Sequence, residues 1–245
     1  MAEDTTRGRF VIHDEFDMDN INTSAANGVR WLVSSDTGNT AFAVGANRGM
    51  TTAQGATDTT DDDMVEIGHG LLAWHAQDGE MWMEARIQFD VVTTLAFTVG
   101  FNDDALEDSN TLPVELSGTT FTSNAATFVG MVFDVDATTD EVHAFWVDDD
   151  NDTGEAIADL NMRGFAPTAA QWATYRVHVQ DRGSGLGARV TFSIVDHNGT
   201  LYQRVFNTTI DRDVLLTPHV AFENHGAAAH VCDLDYIEVG KSRAS

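Results

Sequence analysis

The chain has 245 residues, 42% of them hydrophobic, and 39 Asp and Glu stand against 13 Lys and Arg, a formal charge of −26. Such a polyanion repels phosphate backbones and anionic bilayers, which argues against nucleic acid and membrane surfaces as partners. No apolar run approaches the roughly 18 residues of a membrane-spanning helix, and the charged start Met1-Ala2-Glu3-Asp4 carries no signal-peptide core.

The composition still supports a core, since 14 Phe and 5 Trp exceed what an acidic disordered chain carries. Lys241 is the sole lysine, a bias that fits a saline medium in which dissolved ions screen self-repulsion. Cys232 is the sole cysteine and allows no disulfide within the chain. In the alternating run His230-Val231-Cys232-Asp233-Leu234 it reads as a small buried hydrophobe.

In chain order, the first strand falls at residues 10–13. At residues 81–89, Met81, Met83, Ala85, Ile87 and Phe89 share one face, and Trp82, Glu84, Arg86 and Gln88 the other. Leu95, Phe97, Val99 and Phe101 repeat the device, as do Val129, Met131, Phe133 and Val135. A strand follows at 142–147, then a short helical turn within 154–162 with Ala156, Ile157 and Leu160 apolar. Tyr175, Val177 and Val179 alternate with polar residues, as do Val190, Phe192 and Ile194. The glycine-rich segment 181–187 between them predicts a hairpin. Asp196-His197-Asn198-Gly199 predicts a second reversal into 201–206. Strands at 220–223 and 233–239 close a total of about ten of ordinary length. The pattern predicts an all-β, two-sheet antiparallel sandwich, with an arm at 1–9, one domain at 10–240 and a tail at 241–245. Residues 46–63 and 102–124 read as long polar loops, the usual carriers of binding function.

Chemistry-bearing motifs are few. There is no H-E-x-x-H helix, no cysteine-histidine metal set and no nucleophile elbow. His225 and His230, five apart, match no ligand spacing. Asp148, Asp150 and Asp152, followed by Gly154, approximate a calcium loop, although the glycine is one place late and no Glu falls at the twelfth position. A glycosidase needs two carboxylates on one strand face. Asp134 with Asp136, and Asp233 with Asp235, have that spacing but sit at strand ends, where solvated carboxylates are the plainer reading. The expectation is a protein that is not an enzyme.

The opening Phe10-Val11-Ile12-His13-Asp14-Glu15-Phe16-Asp17, Trp31, the paired strands 81–89 and 95–101, and the closing Asp233-Leu234-Asp235-Tyr236-Ile237-Glu238-Val239 together resemble the concanavalin A-like jelly roll. That superfamily contains lectins, laminarinase-type glycosidases and coat or decoration proteins of tailed bacteriophages. The E-x-D-x-x-E motif of its glycosidases is absent here. The lectin branch often uses calcium, which Asp148, Asp150 and Asp152 echo. The resemblance implies a virion structural protein, made in the host cytoplasm and placed on the capsid exterior. There it would bind the major capsid protein, with Arg7, Arg9 and Arg48 as the anchors on an acidic capsid surface, and it could form a homo-oligomer on that surface. The alternative is a lectin-like carbohydrate-binding module of a phage fibre or adsorption apparatus, with Trp82, Trp146 and Trp172 as its aromatic platforms.

Overall fold

The computed structural model describes residues 9–16, 21–22, 30–47, 49–70, 73–107 and 111–243. The first strands are β1 (Arg9–Asp14), β2 (Ile21–Asn22), β3 (Trp31–Ser35), β4 (Thr40–Asn47), β5 (Met50–Ala56) and β6 (Met64–His69). The middle of the chain gives β7 (Gly79–Phe89), β8 (Leu95–Asn102), β9 (Val114–Ser117), β10 (Thr120–Ser123), β11 (Phe128–Asp134), β12 (His143–Asp148) and β13 (Asn151–Asp152). After the single-turn helix α1 (Ile157–Leu160) come β14 (Ala173–Asp181), β15 (Ala188–Val195), β16 (Leu201–Asn207), β17 (Thr217–Asn224) and β18 (Val231–Arg243).

Two large sheets form. The first has the order β16-β15-β14-β7-β18-β5-β4, and the second the order β13-β12-β11-β8-β17-β6-β3-β2. Apart from the short parallel pair β2–β3, the ladders are antiparallel. The long β18 divides its outer edge, pairing Val231 to Leu234 with β5 and the stretch from Ile237 to Ser242 with β1. A bulge between Leu234 and Tyr236 shifts its register against β7.

Alternation along the strands places the core. Met81, Met83, Ala85, Ile87 and Phe89 of β7 are buried against the inward faces of the second sheet. Phe97 bridges the sheets, its ring centroid 4.9 Å from Phe89 and 5.5 Å from Tyr175. Trp146 does the same toward β16, 5.3 Å from Phe206. Offset and edge-to-face ring pairs of this kind add to the stabilisation from burial alone. Asp14 ties the opening segment down by accepting from Trp31 Nε1 and the Phe16 amide, both at 3.0 Å.

Neither segment read as a long polar loop stays open. Within 46–63 the chain forms β5, whose Thr52, Ala53 and Gly55 are buried. Residues 111–126 fold back with β9 and β10 across the outer face of the second sheet. Leu112, Val114 and Leu116 become fully buried, and Phe121 stacks on Phe145 at 4.3 Å. Residues 103–107 lie so close to the sheet that a Cβ at Gly68 would sit 1.9 Å from the Ala105 carbonyl oxygen. Leu112, Val114 and Leu116 alternate with Pro113 and Glu115, and that short apolar face is what packs onto the sheet.

Candidate functional site

Register fixes which loops meet. Phe89 pairs with Cys232, Thr174 with Val195, Ala96 with both Asp134 and Glu223, and Val231 with Ala56. The connections 57–63, 90–94, 135–142, 196–200 and 225–230 therefore gather at one end of the sandwich, together with the segment leading into β14. Two concavities open there.

The first is a cavity of about 290 Å³ lined by acidic groups, among them Asp62, Glu115, Asp134, Asp136 and Glu223, with His225. Asp134 and Glu223 both neighbour Ala96 and project from the outer face of the sheet. Asp134 is fixed by the Leu116 and Asp136 amides, which donate to its two oxygens at 3.0 and 2.9 Å. Glu223 is 3% exposed and makes no hydrogen bond through its side chain among the described residues; burial pushes its carboxyl up to about 8. His225 links the elements, with Nε2 3.2 Å from Asp134 and 3.5 Å from Glu223, and Nδ1 3.3 Å from Asp62. Its contact with Asp134, and then the charges around it, raise the imidazole to about 9, so it carries a proton at neutral pH. Ligand atoms of Asp134, Asp136 and His225 lie within 4.8 Å of one another, as do those of Asp61, Asp62 and His225. In number and convergence the first set fits a divalent cation, which would have to displace the His225 proton to gain a nitrogen ligand.

The second concavity, also of about 290 Å³, is a groove between the segment 164–173 and the β15–β16 turn. Trp172 and Tyr202 contribute half-buried rings, and Thr168, Gln171, Asp196, His197 and Asn198 contribute polar groups. The Arg86 guanidinium lies 4.8 Å from the Trp172 centroid and is itself paired with Asp235 at 2.5 Å. Asp196 Oδ1 accepts from the Asn198 and Thr200 amides, each at 2.8 Å, and these bonds, that of Thr200 foremost, hold its carboxyl below the usual range. The Asp-x-Asn-Gly turn thus presents a fixed carboxylate and an amide beside an indole.

The residues singled out by sequence separate clearly. Asp148, Asp150 and Asp152 do not bring their carboxylates together: Asp148 receives the Asp211 amide, Asp152 the Gly154 amide, and Asp149 and Asp150 hold the turn with positive φ. The convergent acidic groups lie instead at the opposite end of β11. Trp82 is buried flat against Gly240, donates to Glu238 at 3.0 Å and carries the Arg9 guanidinium 4.9 Å above its ring. Trp146 belongs to the core. Trp31 and Trp74 are buried too, which leaves Trp172 as the one partly exposed tryptophan. Arg7 and Arg48 lie outside the described residues. Asp233 is consumed by Asn47, Thr52 and Gln54, and His230 by Thr94. Cys232 is fully buried and its thiol is pushed up by desolvation, so it is inert. Sequence reasoning named Asp134 but missed its partners Glu223 and His225, and named Trp172 but missed Tyr202 and the Asp196 turn.

No protein-family model and no curated protein matches the chain. Solved structures do. Lectin II from Ulex europaeus superposes with a TM-score of 0.60 at 9% identity, over 95% of this chain and 98% of that one. Peanut lectin gives 0.58 at 10% identity, over 96% and 97%. A protein of unknown function from Shewanella oneidensis MR-1 gives 0.58 at 11%, over 97% and 88%. Identities this low establish architecture alone. The fold is the concanavalin A-like jelly-roll sandwich, as the order of strands implied.

Proposed function

We propose that the protein is a carbohydrate-binding module whose binding surface is the Trp172 groove. One observation carries the reading: Trp172 alone among the five tryptophans is partly exposed, and it is so in a groove that also offers Tyr202, a carboxylate and side-chain amides. Pyranose rings present flat C–H faces that stack on indoles and hydroxyl rims that need paired donors and acceptors, which is the composition found here. Fold neighbours support the reading in a general way, since one is a lectin solved with galactose and another a lectin solved with the methyl glycoside of α-L-fucose. The groove holds a single carboxylate, Asp196, whereas glycosidic cleavage uses two. Binding without cleavage follows.

The virion reading rests on the resemblance, and its anchors contribute little to it: Arg9 is engaged on Trp82, and Arg7 and Arg48 lie outside the described residues. The deciding experiment is glycan-array screening followed by calorimetry on the best ligand, with Trp172→Ala as control. A stacked ring removed in this way lowers affinity by about tenfold or more. Equal binding by the variant refutes this site, and silence across the array refutes the function.

A further inference from the structure

We infer that the Trp172 groove selects uncharged glycans and rejects carboxylated, sulfated and phosphorylated ones; the inference rests on the glycan-binding reading and adds the substrate class. The lining contains one fixed negative charge and neither Lys nor Arg. Asp196 cannot swing away from a ligand, because its Oδ1 closes the turn through the Asn198 and Thr200 amides. The same bonds favour its ionised form.

The arginines nearby stand outside the lining and are held by other partners through at least one nitrogen or ring face. Arg86 lies against Trp172 but its charge is matched by Asp235. Arg163, next to the lining residue Gly164, gives its Nε to the Gln203 carbonyl at 2.8 Å. Arg204 donates to the carbonyls of Asn161 and Asp159 and stacks on Phe206. No guanidinium lines the groove to receive a carboxylate or sulfate in the forked geometry those groups favour. A sugar bearing one would face Asp196 across the groove within a field set by a net charge of −26. Neutral hydroxyls, by contrast, donate well to a carboxylate that cannot itself donate, and the amides of Gln171 and Asn198 add both donors and acceptors.

The test uses the full chain at pH 8 and low salt, with two probe sets measured by calorimetry and saturation-transfer NMR. The neutral set is cello-, laminari-, galacto- and N-acetylchito-oligosaccharides; the anionic set is oligogalacturonate, 3′-sialyllactose and a heparin hexasaccharide. The expected result is binding confined to the neutral set. Asp196→Asn retains an oxygen to close the turn, and it should narrow the neutral-to-anionic affinity ratio at least about fivefold. Binding of anionic probes as tightly as neutral ones overturns the selectivity while leaving glycan binding intact. Loss of selectivity in neither Asp196→Asn nor high salt overturns the electrostatic cause. Failure of both sets overturns the reading beneath it.

Discussion

His219 Nε2 and Glu66 Oε2 meet at 2.9 Å with neither side chain exposed to solvent. The pair stands on the outer face of the second sheet, on adjacent strands β17 and β6, and the Glu107 amide shares its one hydrogen between the two Glu66 oxygens. Burial of such a pair costs desolvation that the partners largely return, so deletion of one member is more damaging than deletion of both. Glu66→Leu or His219→Leu should each lower unfolding free energy by about 3–5 kcal/mol. The double variant should recover a clear part of that loss in urea denaturation. Additive losses would show that the two groups do not act as a pair.

The close fit of residues 103–107 over β6 is tested by Gly68→Ala. The added methyl points at backbone, not at a side chain that can turn away. It should lift the segment from the sheet at a cost of about 1–3 kcal/mol. Amide exchange should accelerate at 104–107 while β14–β16 stays protected. Unchanged exchange there would mean that the covering segment adjusts without opening.

His225 and Glu223 give the protein an alkaline limit. The raised His225 contributes stability that is complete below its unfolded value of 6.5 and disappears as pH climbs through about 9. The raised Glu223 behaves alike, its protonated form favouring the fold below 4.5 and that advantage fading as pH rises through about 8. Both slopes have the same sign, so unfolding free energy should decline from pH 5 to pH 9. Glu223→Gln should flatten the lower part of the profile, and His225→Gln the upper part. A profile that rises over this interval would contradict the assigned proton positions.

Monovalent salt should raise the melting temperature, since the charge of −26 is screened at a Debye length of about 10 Å in 0.1 M salt. Differential scanning calorimetry from about 0.01 to 0.5 M sodium chloride checks this. A flat or falling trend would mean that the acidic groups are already balanced within the fold.

What the sequence disclosed is the alternation of large apolar residues with small or polar ones, in buried β8 and β11 as well as in β14 and β15. β14 and β15 alternate cleanly because the first sheet presents its outer face to solvent there, as the burial of Tyr175, Val177 and Val179 between partly exposed Thr174, Arg176 and His178 shows. β6 went unread not for its burial, which β8, β11 and β17 share, but because Met64-Val65-Glu66-Ile67-Gly68-His69 offers only Val65 and Ile67 as alternating large apolar residues, with Gly68 and His69 closing the run. β9 and β10 are four residues each and rich in Ser and Thr. The groove was half legible: once β14 and β15 form a hairpin, Thr174 pairs with Val195, and Trp172 must approach the Asp196 turn. The acidic cavity was not, because Asp134 and Glu223 meet only through the sheet order β11-β8-β17, a non-local pairing that no local pattern encodes.

β18 carries a consequence for how the chain is made. Its thirteen residues lie between β7 and the paired edges of β5 and β1, so the middle of the first sheet waits for a segment synthesised after every other strand. Until then β7 offers a bare ladder edge, and the apolar positions that face Ile237 and Val239 have no cover. A nascent chain in this state is exposed to strand exchange with its neighbours on the same messenger. Its closure is a long-range event, slow by the usual dependence of folding rate on sequence separation.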